Sequence, residues 1–490
     1  MGDEWKGPLR QVGECRWEIP ASYKKAMRTS GLIYASPEMV KDILSDQAPE
    51  QVANVACLPG VVGLSLAMPD IHWGYGFPIG GVAAFDATEG IISPGGVGYD
   101  INCGMRLLRS DLTLDDVAPR LNDLMDDLAQ TVPAGVGSEG PIKLSRSDLA
   151  DVLVRGAAWA AERGYGWPED VGRLEERGAL AGADATKVSG EAKKRGLRQL
   201  GTLGSGNHFV EIQVIEDVYD LVLARAFGLA KGQIVVMVHS GSRGLGHQVC
   251  TDYLAVMDLA VQRYGTNLPD RQLACAPVRS DEGRDYFAAM AGAANYAWAN
   301  RTCLAHWVRE AFARQFGRPA RALGLDVVYD VAHNIAKFEK HAVAGEPGLR
   351  RKALLCVHRK GATRAFPAGH PDVVEAYRAA GQPVLVPGNM GTHSYVLVGT
   401  EQALAETWGS TCHGAGRRLS RSAAKRQVRG SELRRQLEAQ GIQVRSHSDA
   451  GLAEEAPLAY KDVDMVVDAA ERAGLSRRVV RMRPLGVLKG

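Results

Sequence analysis

Short apolar runs broken by glycine and proline fill positions 51–110, a pattern that predicts strands joined by tight loops. From Asp115 to about Gly164 the apolar spacing turns helical. A second helical stretch runs from about Asp252 to Phe316 and is alanine-rich from Asp285 onward. Three further segments share one layout. Ile234–Val238 leads into His239-Ser240-Gly241-Ser242-Arg243, Val327–Ala332 into His333-Asn334, and Ala353–Val357 into His358-Arg359-Lys360-Gly361. Each reads as a buried strand that presents a histidine at its end, where the ligand sites of helix-flanked sheets gather. Near the C-terminus, Leu485, Val487 and Leu488 predict a docked tail that carries Lys489 toward a site. The segments interleave too closely for a clean cut. One α+β unit follows, with mixed β-sheets flanked by helices and the site at strand ends, and with Glu432 to Gly451 as a polar excursion.

Composition narrows the class without naming the chemistry. The 490 residues are 46% apolar and 23% charged, ordinary for a soluble globular chain. No run approaches about 18 apolar residues, which excludes a helical membrane span. The stretch Met1-Gly2-Asp3-Glu4-Trp5-Lys6 lacks the apolar core of a secretory signal. Eight scattered cysteines without a CxxC pair point to reduced thiols and a cytoplasmic setting. Net charge is only +2, yet eight basic residues lie between Arg417 and Arg435 against the single Glu432. A second run, Lys193-Lys194-Arg195 with Arg198, precedes a glycine-rich motif. Such patches are the footprint of a polyanion.

Four motifs carry chemistry. In Gly95–Gly104, Asp100 stands three residues from Cys103 in a glycine-rich bend able to turn both toward one cation. Gly201–Glu211 offers backbone N–H groups for phosphate oxygens, with Asn207, His208 and Glu211 adding an amide, an imidazole and a carboxylate. Asp100, Cys103, His208, His239 and His333 supply five ligands, enough for two divalent ions if the thiolate bridges. These donors suit manganese, zinc, cobalt or iron alike. Val386–Tyr395 is a strand-to-turn junction able to enclose a nucleotide. Trp408–Arg417 sets His413 among small residues, beside a glycine-rich turn and a planar guanidinium. A histidine held there can attack phosphorus and carry a phosphoryl or nucleotidyl group. His247, His306 and His341 lack such surroundings and read as structural. His358 falls between, because Arg359, Lys360 and Arg364 make its neighbourhood suited to phosphate.

Together these motifs resemble the RtcB family of RNA-splicing ligases over nearly the whole chain. The strings are MPDIHWGYGFPIGG from Met68, DINCG from Asp100, GTLGSGNHF from Gly201, HSGSRGLGHQ from His239, YDVAHN from Tyr329, VHRKGATRAFP from Val357 and CHGAGR from Cys412. Glu454–Pro457 and Arg483–Val487 complete the set. The resemblance implies one catalytic domain over residues 1–490. Such an enzyme joins an RNA 3′-phosphate or 2′,3′-cyclic phosphate to a 5′-hydroxyl, using GTP and two Mn²⁺ ions, in tRNA splicing or RNA repair. It implies that His413 attacks the GTP α-phosphorus and carries GMP to the RNA 3′-phosphate, from which the 5′-hydroxyl expels it; a cyclic end is first hydrolysed.

On the same pattern the metal ligands are Asp100, Cys103, His208, His239 and His333, with Cys103 bridging. The guanylate site falls on Asn207, His208, Phe209, Val210, Glu211, His333, Asn334, Pro387, Gly388, Asn389, Met390, Ser394, His413, Gly414, Ala415, Gly416 and Lys489, with Arg417 as a phosphate clamp. The implied partners are RNA (tRNA halves or broken ends), with archease as a candidate activator and no membrane. Asn389 and His393 depart from the family's usual serine and alanine, beside the nucleotide pocket. Three other readings use part of this set. They are a guanylyltransferase that caps 3′-phosphate ends, a dinuclear metal phosphoesterase, and a non-catalytic RNA-binding protein, the last disfavoured by the low net charge.

Overall fold

A computed structural model describes residues 4–344 and 350–490. Met1–Asp3, the start of the stretch read for a signal sequence, lie outside the described residues. The architecture is α+β, built on two large sheets. The first has seven strands in the order Arg10–Gly13, Arg16–Ile19, Gly31–Tyr34, Val61–His72, Ile79–Asp86, Arg350–Lys360, Asn334–Ala344. The second runs Val327–Ala332, Gly104–Thr113, Gln233–Ser240, Phe209–Val218, Ser476–Lys489, Ser394–Gly399, Pro383–Val386, with Gln443–Ser446 added beside Ser476–Lys489. Both sheets are mixed, because Gly31–Tyr34 pairs parallel with Val61–His72 and Gln443–Ser446 parallel with Ser476–Lys489.

The register of the second sheet gathers the site. Gly104 pairs with Ala332 on one side and with Ser240 on the other, and Phe209 pairs with His239. Cys103, His333, His239 and His208 therefore emerge at one end of four adjacent strands. Behind this sheet lies the helix Asp281–Phe316, started by the Ser280 hydroxyl, which accepts from the Gly283 N–H at 3.0 Å, and ended by Gly317 at φ 61°. Most of its length is buried, and it carries Asn300 and Arg301 into the interior.

The helical reading of 115–164 resolves into Leu114–Val117, Leu121–Thr131, Arg146–Arg155 and Ala157–Glu162. The last two are split at Gly156, where φ is 55° and an added Cβ would lie 2.1 Å from the Gly178 carbonyl oxygen. Residues 51–55, expected as strand, belong to the helix Ala48–Val55, which opens with proline in its first turn. The supposed excursion at 432–451 is also corrected. Leu433 and Leu437 share one helical face on Gly430–Ala439, and with Ile442, Val444 and Leu452 they bury against the second sheet's core. Four-residue spacing hidden among charges was the overlooked signal. The C-terminal tail is docked more deeply than expected, since Ser476–Lys489 forms an interior strand of that sheet.

Candidate active site

His413 follows the short strand Ser410–Cys412 and sits under the end of the strand Val61–His72. That strand delivers Asp70, which is fully buried. One carboxylate oxygen of Asp70 accepts from the His413 backbone N–H at 2.9 Å, the Gly414 N–H at 3.2 Å and the His413 Nδ1–H at 2.5 Å. Burial pushes the Asp70 carboxyl upward, but the His413 imidazole and these N–H donors outweigh it and hold it below the usual carboxylate value. The proton thus stays on Nδ1, and Nε2 keeps the lone pair of a nucleophile. Close approach is obligatory here, because a Cβ on Gly416 (φ 72°) would lie 2.3 Å from the Asp70 carbonyl oxygen. Lys461 pins the same strand by donating to the carbonyls of Ile71 and Pro69.

Beside this dyad lies a set of metal-type donors. One donor atom each from Asp100, Cys103 and His208 falls within 4.8 Å of the others. His208 Nε2 is 2.8 Å from Asp100 Oδ2, while Cys103 Sγ is 3.6 Å from His208 Nε2 and 3.1 Å from His239 Nε2. The ring centroids of His208, His239, His333 and His413 follow one another at 5.5, 5.7 and 5.2 Å. Each of the first three rings is fixed through Nδ1: His208 to the Leu203 carbonyl at 2.9 Å, His239 to the Asn207 carbonyl at 3.1 Å, His333 to the Thr363 hydroxyl at 3.0 Å. The two carbonyls accept from Nδ1–H of His208 and His239, the tautomer that leaves Nε2 free to ligate, and the Thr363 hydroxyl orients the His333 ring. His333 Nε2 is buried with no hydrogen-bond partner among the described residues, and burial lowers the basicity of both His239 and His333. Burial, with Asp100 nearby, raises the Cys103 thiol; a divalent cation would reverse that. The residues present therefore fit a metal site.

The long helix ties the donor-bearing segments together. The Arg301 guanidinium donates to the Asn102 carbonyl at 2.8 Å, the Ser240 carbonyl at 2.9 Å and both Asp330 oxygens at 2.8 Å. These positions adjoin Cys103, His239 and the strand leading to His333. Asn300 accepts from the Gly201 and Thr202 N–H groups at 2.8 and 3.1 Å, which fixes the loop before His208.

A cavity of about 210 Å³ opens between the dyad and the donor set. Of the predicted nucleotide residues, Asn207, Phe209, Glu211, His333, Asn334, Pro387 to Met390, His413 to Gly416 and Lys489 line it, as do Cys103 and His239. Val210 does not, since strand alternation sends Phe209 and Glu211 to the cavity and Val210 to the apolar core. His208 and Asp100 sit behind the wall, and Ser394 braces the Pro387–Asn389 turn by accepting from the Gly388 N–H at 3.2 Å. Glu211 is buried with one carboxylate oxygen unpartnered among the described residues, and burial pushes it up to about 8 against the opposing pull of Gln213 and Lys489. Lys489 donates to the Gly206 carbonyl at 3.2 Å and stands 5.5 Å from the Phe209 ring centroid.

Other expectations change. His358 is a core residue. Its Nε2 accepts from the Ser93 N–H at 3.2 Å, and it packs between Phe77 and Phe85. Its basic neighbours face inward: Arg359 onto Glu339, Lys360 onto the Tyr75, Phe77 and Gly95 carbonyls, Arg364 onto Glu176. His341, buried on Glu339, and the half-buried His306, against Trp307, keep the structural reading. His393 turns from the cavity toward Asp464 and Glu216 at 3.3 and 3.4 Å, whereas Asn389 lines it. Arg417 lines the cavity while donating to Glu455 at 3.0 Å. Sequence reasoning gave no role to Asp70, Glu455 or Tyr460, and it placed Arg421 in a basic patch rather than at the cavity it lines. A carboxylate in the apolar run Met68-Pro69-Asp70-Ile71 was the available signal, because a buried charge demands a partner.

Residues 51–490 match the family model described as tRNA-splicing ligase RtcB. Proteins named tRNA-splicing ligase RtcB from Archaeoglobus fulgidus and Thermococcus kodakarensis are 57% and 56% identical to this chain, each over 99% of both chains. One from Pyrobaculum aerophilum is 53% identical over the same share. With motifs, register and site in agreement across nearly its whole length, the chain belongs to the RtcB family.

Proposed function

We propose that this RNA ligase joins an RNA 3′-phosphate or 2′,3′-cyclic phosphate end to a 5′-hydroxyl end through a GMP carried on His413, as one catalytic unit spanning residues 1–490. The observation that carries this reading is the Asp70–His413 pair at the cavity wall. With Nδ1 donated to a buried carboxylate, Nε2 is the nitrogen available to attack the GTP α-phosphorus, and pyrophosphate leaves. Asp70 stabilises the positive charge that develops on the ring. The RNA 3′-phosphate then takes GMP from His413, which turns a poor electrophile into one with a good leaving group. Attack by the 5′-hydroxyl expels GMP and closes the phosphodiester.

Asp100, Cys103, His208, His239 and His333 would hold two divalent ions, manganese in this reading, with Cys103 between them. When bound, they supply charge neutralisation at the phosphates and orient the attacking groups. The unpartnered Glu211 oxygen suits the N–H donors on the edge of guanine, and Lys489 favours the ionised carboxylate against its burial. Eight free, buried cysteines fit a reducing cytoplasm, and among the described residues no helix is long and apolar enough to cross a membrane. An archease-type activator is the protein partner proposed.

A product assay tests the reading. Two RNA oligonucleotides, one with a 3′-phosphate and one with a 5′-hydroxyl, are incubated with GTP and Mn²⁺. Joined product is expected. A 3′-end capped with guanosine and never sealed would favour the capping guanylyltransferase, and phosphate release without guanylylation would favour the phosphoesterase.

A further inference from the structure

We infer that the rings of Tyr75, Tyr99 and His247 form a stacking platform for unpaired bases of the RNA strand whose end enters the His413 cavity, with Lys194 and Arg195 meeting its phosphates. The inference rests on the RNA-ligase reading and extends it to a surface outside the cavity.

Tyr99 immediately precedes Asp100, so the platform begins where the donor set ends. The His247 ring stacks on Tyr99 with centroids 4.8 Å apart at 28°, and Tyr75 meets Tyr99 edge-on at 5.6 Å. Both tyrosines are only partly buried and His247 is exposed, so each ring keeps a face or edge toward solvent. Among the described residues neither tyrosine hydroxyl nor either His247 nitrogen has a hydrogen-bond partner. Hence packing explains the pairwise contacts and leaves the outer faces and polar edges unassigned.

The rings stand on fixed backbone. Lys360 donates to the carbonyls of Tyr75, Phe77 and Gly95, and the Phe77 N–H donates to the Gly95 carbonyl at 3.3 Å, so the two loops that carry the tyrosines are laced together. One residue from His72, which lines the cavity, the Trp73 indole is 49% exposed. Its backbone is nevertheless held, by Asp46 accepting from the Trp73 N–H at 3.2 Å and Gln51 from the Gly74 N–H at 3.0 Å. A platform set on such a frame orders a base without first ordering itself.

Positive charge lies alongside. His247 is one helical turn beyond Arg243 on Arg243–Arg263, and the helix Gly190–Gln199 crosses the start of that helix. Gln199 accepts from the Gly244 N–H at 3.0 Å, and a Cβ at Gly244 would lie 3.3 Å from Arg195 Cδ. Lys194 and Arg195 are exposed there. Aromatic faces interleaved with basic groups beside an end-processing site are what a single strand requires, because every base has a π-face and every linkage a charge.

The probe is a short, internally labelled single-stranded RNA with a 3′-phosphate, titrated by fluorescence anisotropy alongside labelling of the protein with GTP. Tyr75→Leu and His247→Ala should each weaken RNA binding roughly tenfold and raise the KM for RNA, with kcat and GTP labelling unchanged. Tyr75→Phe and His247→Phe keep a ring and should bind as wild type does. Unaltered affinity in Tyr75→Leu and in the exposed-site variant His247→Ala would overturn the platform alone. A wild-type protein that binds no RNA would overturn both it and the ligase reading. Ring-dependent RNA binding by a wild type never labelled by GTP would keep the platform and remove the ligase mechanism.

Discussion

Two regions of this molecule present the same sequence layout and do opposite work. Around His239 and His333, apolar strands end in histidines whose Nδ1 atoms are fixed and whose rings lie 5.7 Å apart on one cavity wall, with His239 Nε2 beside a thiol. Around His358, an equally apolar strand ends in a histidine followed by Arg359, Lys360 and Arg364, yet every one of these groups is spent on an internal partner. The difference is topological. The strands leading to His239 and His333 flank Gly104–Thr113 in the second sheet and end together, whereas Arg350–Lys360 lies in the first sheet between Ile79–Asp86 and Asn334–Ala344. A motif supplies donor atoms, and strand order decides whether they meet a cavity or one another.

That contrast can be broken from either side. On the cavity side, Asp70→Asn removes the acceptor that holds the His413 tautomer. The rate of GTP labelling should fall by about 10²- to 10⁴-fold with the melting temperature little changed. Labelling at the wild-type rate would show that His413 needs no such partner. Cys103→Ala should lose bound metal and ligation together, read by elemental analysis of the purified protein; full metal content would contradict the bridging role.

Glu211 sharpens the contrast through pH. Its folded value of about 8 lies above the ordinary 4.5, so its neutral form favours folding. The stability it contributes is fully present below about pH 4.5 and is lost as pH rises through about 8. Glu211→Gln in the metal-free protein should therefore gain stability relative to wild type as pH rises across that window. Parallel melting curves for the two proteins would remove the buried-carboxyl account. On the interior side, His358→Phe should keep the packing between Phe77 and Phe85 and leave one backbone N–H unpartnered. A cost of about 1–3 kcal/mol in denaturant unfolding is expected, with GTP labelling unaffected. A labelling defect in the folded variant would place His358 back in the site.

Much of this was legible in the sequence. The α+β class, the long alanine-rich helix and the docked tail came from periodicity and apolar endings, since these report burial directly. The gathering of Asp100, Cys103, His208, His239 and His333 at one end of the second sheet was readable because glycine-rich bends and strand ends advertise such donor side chains. What stayed hidden depends on pairing. Asp70 became meaningful only once the end of its strand was laid beneath Cys412–Gly416, 342 residues later in the chain at His413's neighbour Cys412. Arg359, Lys360 and Arg364 were misread because nothing local reveals that Glu339, three carbonyls and Glu176 await them. Leu433 and Leu437 were masked by the charges around them.

The most direct test of the account is intact-mass analysis after incubation with GTP and Mn²⁺ and denaturation, followed by peptide mapping. A GMP-sized, acid-labile adduct on His413, absent from His413→Ala, is the predicted result. An adduct that persists in His413→Ala, or none at all on folded, metal-loaded wild type, would contradict it.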